Sequence, residues 1–112
     1  DRLLLENMAA RWYERGYDTR TAILVVSAMA KGARDRQFQK YLWMRVDRLK
    51  ALLALEVSTT EYRSRYQRLP DSIDDLISAG LIGQPPKDPF GFGFAFKDGM
   101  PILLNAPTKG SK

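Results

Sequence analysis

A chain of 112 residues has room for one domain with a real but modest core. Its 45% hydrophobic and 28% charged content is that of an ordinary globular protein and excludes a disordered one. Histidine and cysteine are both absent, which removes the commonest general base, the commonest metal ligand, thiolate chemistry and any disulfide.

The net charge of +5 comes from 18 basic and 13 acidic residues. An acidic protein surface, anionic lipid or nucleic acid would be attracted to it, but the charges are dispersed, as on a solvated basic surface. The longest apolar runs, such as 22–26 and 102–104, are far too short to cross a bilayer. Asp1-Arg2 leads straight into a helical pattern without an initiator Met or a secretory leader, so a fragment of a longer protein is expected.

Leu5, Met8, Ala9 and Trp12 recur at helical spacing, and Gly16 is a natural stop. Asp18 or Thr19 caps a second helix that turns Ala22, Ile23, Val26, Met29 and Ala30 inward and ends at Gly32. So short a turn between the two predicts an antiparallel helical hairpin over residues 1–33.

From about Asp35 the pattern restarts and meets no Gly or Pro until Pro70, which predicts one long helix. Phe38, Leu42, Val46, Leu49, Leu53 and Val57 follow at steps of 4, 4, 3, 4 and 4 and are expected on one stripe, continued by Tyr62, Tyr66 and Leu69. Part of this seam should pack on the front hairpin and part on the C-terminal elements. Pro70 stops the helix, and Asp71 or Ser72 caps a short one with Ile73, Leu76 and Ile77 buried and Gly80 closing it.

After Asp88-Pro89-Phe90-Gly91 the period changes to two. Phe92, Phe94 and Phe96 fall on one side of a strand, Asp98-Gly99 suits a tight turn, and Met100, Ile102 and Leu104 form the returning strand. Pro101 places that strand at an edge. The expected organisation is thus mainly α with an α+β tail. It comprises a hairpin over 1–33, a long helix, short helix and antiparallel β-hairpin over 34–105, and a flexible tail over 106–112, in one compact unit.

Residues from Tyr62 to Leu104 resemble the soluble core of the major pseudopilin of type II secretion systems. The matching residues are Tyr66, Leu69-Pro70, Ser72-Ile73, Leu76, Leu81, Pro86, Asp88-Pro89-Phe90-Gly91, Phe94, Phe96 and Asp98-Gly99. The resemblance implies the local fold and a bacterial cell-envelope setting, the periplasm included. The hydrophobic filament helix of that family is missing here, and a Lys/Gly tail stands where its calcium loop would follow. Neither filament assembly nor calcium is therefore expected. The first 33 residues are similar to a degenerate tetratricopeptide repeat, with Leu5, Met8, Ala9, Trp12, Gly16, Val25 and Ala28 on its apolar or small positions.

Candidate chemistry is sparse. Asp74-Asp75 is an adjacent pair whose side chains diverge on a helix and suit the macrodipole of a first turn. Asp88 is expected to cap a turn. Gly91-Phe92-Gly93-Phe94 lacks the Lys-Ser/Thr of a phosphate loop and reads as a strand entry. Ser27, Ser58, Ser64 and Ser78 have no base pattern near them. The three phenylalanines are expected to close the core against Tyr62, Tyr66 and Leu76 rather than to stack on bases. Arg63, Arg65 and Arg68 beside Tyr62 and Tyr66 form the densest basic cluster.

No catalytic, cofactor-binding, metal-binding or partner-binding residue is assigned, and no cofactor is called for. The function expected is a non-catalytic protein-interaction or scaffold module of a bacterial envelope, secretion or pilus-type system. Its partner would be another protein, and membrane contact would come only through segments outside this chain. The alternative is a basic helical module that binds nucleic acid.

Overall fold

The computed structural model describes residues 18–105. The helix expected over the first 16 residues, and with it most of the tetratricopeptide-like segment, lies outside the described residues, as does the expected tail at 106–112.

Helix α1 spans Thr19–Gly32. Asp18 starts it by accepting the Thr21 N–H at 2.9 Å and the Thr21 hydroxyl at 3.1 Å, so a first-turn donor without an intrahelical partner is satisfied. Ala22, Val26 and Ala30, each four apart, are fully buried, while Ile23 and Met29 are half-buried.

Helix α2 runs unbroken over Arg36–Tyr66, as the absence of Gly and Pro predicts. Asp35 caps it through its carboxylate, which accepts the Phe38 N–H at 2.7 Å. Gln39 Nε2 donates to Ala30 O at 2.8 Å, tying the start of α2 to the end of α1. The helix stops at Gln67, whose φ of 56° is left-handed, three residues ahead of Pro70. The described residues divide into two compact units, and the boundary falls inside α2, between Lys50 and Ala51.

In the first unit Phe38, Leu42, Val46 and Leu49 are buried at the expected positions. Two arginines are buried with them, Arg45 at 6% exposure and Arg48 at 1%. Arg45 Nη1 donates to the Tyr41 hydroxyl at 2.7 Å, and the guanidinium carbon stands 5.5 Å from that ring's centre. A buried charge needs such partners, because loss of hydration otherwise makes its burial costly.

In the second unit the buried stripe departs from the expected one. Leu52, Leu55, Thr59 and Tyr62 are buried, whereas Leu53 is half-buried and Val57 is 52% exposed. The inward steps after Leu49 are 3, 3, 4 and 3, so the stripe winds around the helix instead of holding one line. The cause is what lies against it. Leu55 and Tyr62 form a core with Leu76, closed by Ile73, Ala79, Leu81, Ile82, Phe94 and Phe96. Thr59 tolerates burial because its hydroxyl donates to Leu55 O at 2.7 Å.

Helix α3, Ile73–Ser78, begins at Ser72, whose side chain makes no cap bond. Instead Asp75 Oδ2 accepts the Asp71 N–H at 2.7 Å. The helix ends in a paired reversal, with Gly80 N–H donating to Ile77 O and Leu81 N–H to Leu76 O. Gly80 has φ 77°, and the next residue, Leu81, folds back onto the Leu76 core. Ile77 is only half-buried, so Leu76 carries the inward face of this helix.

Strands β1, Phe94–Lys97, and β2, Met100–Leu103, form the antiparallel hairpin. Its two-residue turn has φ 54° at Asp98 and 80° at Gly99, the pair of positive values that a mirror-image turn needs. Phe92 falls before the strand and tilts against Phe90, ring centres 6.1 Å apart, so the expected three-phenylalanine face is a two-phenylalanine face. Register sets Pro101 and Leu103 opposite Phe96 and Phe94. Met100 and Ile102 consequently take the other face, and Met100 is 49% exposed. The fold is mainly α with an antiparallel β-hairpin towards the C-terminal end, as the sequence predicts.

Candidate interaction surface

The last turns of α2 carry Tyr62 and Tyr66 four residues apart, which puts both on one helix face. Their rings meet at 4.6 Å with a 44° tilt. Tyr62 is sunk in the core, and Tyr66 stays 47% exposed. At Gln67 the left-handed residue turns the chain, held by Gln67 N–H to Arg63 O at 2.9 Å and Gln67 Nε2 to Ser64 O at 2.9 Å. That turn brings Arg68 back over the Tyr62 ring, its guanidinium carbon 5.2 Å from the centre. An open hollow of about 210 Å³ results, lined by Tyr62, Tyr66, Arg68, Asp75, Ser78 and Ala79.

Only part of the basic cluster read from the sequence gathers here. Arg68 lines the hollow, and Arg65 is tied to Glu61 by an exposed ion pair of 3.2 Å. Arg63 is exposed and does not line it. The adjacent acids separate, as diverging side chains must. Asp75 borders this hollow, and Asp74 borders another one beside β1.

Asp88 acts as the sequence suggests. Its two carboxylate oxygens accept the N–H groups of Phe90 and Phe92 at 3.0 Å and of Gly93 at 2.7 Å, while its carbonyl takes Gly91 N–H at 2.9 Å. The glycine-rich segment is wound around this side chain and delivers Phe94 into β1. Of the serines, Ser78 lines the hollow. Among the described residues no group of three or more His, Cys, Asp or Glu is placed to hold a metal ion, and no helix is long and apolar enough to cross a membrane.

Sequence reasoning missed the meeting of Arg68 with Asp75 and Ser78, because the two segments are joined only through the reversal at Gln67. It also missed the burial of Arg45 and Arg48. A signal was present, since Leu42, Arg45, Leu49 and Leu52 fall at steps of 3, 4 and 3. Compared with protein-family models, curated proteins and solved structures, the chain matches none.

Proposed function

We propose that the chain is a non-catalytic protein-interaction or scaffold module of a bacterial envelope system of the secretion or pilus type. The observation that carries this reading is the half-exposed Tyr66 beside Arg68, both anchored on the buried Tyr62. Tyrosine and arginine dominate binding hot spots because each presents a large contact area together with a polar tip. The packed ring and the turn at Gln67 hold both side chains in place, which lowers the ordering cost of binding. The envelope setting is supported by the succession of long helix, Pro70, short helix, Asp88-Pro89-Phe90-Gly91 loop and β-hairpin, in the order of a pseudopilin core.

The test is affinity capture from a detergent-solubilised bacterial envelope fraction with the intact chain and with its Tyr66→Ala and Arg68→Ala forms. A discrete envelope protein retained by the first, and lost with the variants at unchanged unfolding midpoint, supports the reading. Equal retention by all three forms overturns it.

A nucleic-acid module would use the exposed cations of α2, among them Lys40, Lys50, Arg63 and Arg65. Burial of Arg45 and Arg48 weakens that reading, since neither is open to a phosphate.

A further inference from the structure

In an antiparallel pair, alternate residues exchange hydrogen bonds with the partner strand, and those between turn their N–H and C=O outward. The two-residue turn makes Lys97 and Met100 a bonded pair, and Leu104 N–H donating to Gly93 O at 3.2 Å keeps the same phase. Ala95 and Lys97 therefore bond across to β2, and the backbone groups of Phe94 and Phe96 point away from it. Among the described residues no hydrogen bond occupies them. The far edge of β2 is not equivalent, because Pro101 stands at an outward position and has no N–H to offer.

An open hollow of about 340 Å³ borders β1, lined by residues 71–74 and 94–96. Successive side chains of a strand point to opposite faces. Phe94 and Phe96 turn to one face and Ala95 to the other, and all three border the hollow, which therefore runs along the stretch of β1 that carries the unpaired groups. Its other wall carries the exposed carboxylates of Asp71 and Asp74, so this groove is acidic although the chain as a whole is +5.

We propose that the free edge of β1 is a strand-addition site for an extended segment of a partner protein bearing Lys or Arg at alternate positions. The segment pairs with the backbone of Phe94 and Phe96, which gives affinity without regard to sequence, and its cations meet Asp71 and Asp74, which selects among strands. A third strand also relieves the marginal stability of a two-stranded sheet. The site rests on the protein-interaction reading and names the chemistry of one partner.

The test uses the whole chain, isotope-labelled, and a capped synthetic hexapeptide of alternating lysine and valine. Saturable binding is expected, with the largest amide shifts at Phe94 and Phe96. Methylating every backbone nitrogen of the peptide should weaken binding at least tenfold, as should replacing its lysines by glutamate. The double variant Asp71→Asn/Asp74→Asn should lose most of the preference between the two charge types. No saturation at millimolar peptide, equal binding of the methylated peptide, or shifts centred elsewhere overturns the proposal. So does self-association that protects the Phe94 and Phe96 amides without peptide, which would give the edge to a second copy. An envelope protein still captured through Tyr66 and Arg68, with no peptide bound at β1, removes this site and leaves the wider reading standing.

Discussion

Gly99 is a residue whose replacement is confined by geometry. Its φ of 80° is left-handed, and a Cβ there would lie 2.5 Å from Leu69 Cδ1 and 2.6 Å from Leu69 Cβ. Gly99→Ala should cost about 1–2 kcal/mol for the backbone alone, and more for displacing Leu69. Urea unfolding measures it, and a midpoint unchanged from the parent chain would contradict the argument. Asp88 is the second such residue. Asp88→Ala leaves three N–H groups without their acceptor and should cost about 1.5–3 kcal/mol, while Asp88→Asn keeps one oxygen and should cost less. Asp18 makes a prediction in pH. The Thr21 backbone N–H, then the Thr21 hydroxyl, hold its carboxyl below the ordinary 3.8. The unfolded chain therefore takes up this proton before the folded one does. The contribution of Asp18 is complete above 3.8 and is lost as pH falls through the lower folded value. Asp18→Ser keeps a capping oxygen that does not titrate, so its unfolding midpoint should fall less steeply with acid than that of the parent chain.

At the scale of elements, α2 is continuous while its buried stripe changes line. Leu55 lies in the core with Tyr62 and Leu76, and Val57 is open to solvent. Leu55→Ala should cost about 2–5 kcal/mol, whereas Val57→Glu should stay within about 0.5 kcal/mol of the parent. Had the even spacing through Leu53 and Val57 been the packed seam, the order of those two costs would be reversed. Periodicity shows that a helix has an apolar side. The line actually buried depends on which neighbours arrive, and here α3 and the phenylalanine strand meet α2 along Leu55 and Tyr62. The hairpin teaches the same lesson. Its turn and strands are legible in Asp98-Gly99 and the alternation around it, but which residues of the returning strand face the core follows from the count of turn residues. With two in the turn, Pro101 and Leu103 stand opposite the rings.

For the whole molecule, a charge of +5 invites a test of nucleic-acid affinity. Because Arg45 and Arg48 are buried and Arg65 is paired with Glu61, fewer cations stand open than the sequence counts. Any binding to a labelled duplex, followed by fluorescence anisotropy, should be weak at low salt and vanish near physiological ionic strength. Tight binding that survives such salt would favour the nucleic-acid reading. Local chemistry written in the chain was sufficient for the helix cap at Asp18, the unbroken α2, the reversal at Gly80, the loop wound on Asp88 and the turn at Asp98-Gly99. Each of these depends on residues a few positions apart. Tertiary structure decided that Arg48 and Thr59 are inside, that Arg68 lines one hollow with Asp75, and that β1 borders another with Asp71 and Asp74. Those outcomes join segments distant in the chain, and burial belongs to the set of neighbours that gather around a side chain rather than to the side chain itself.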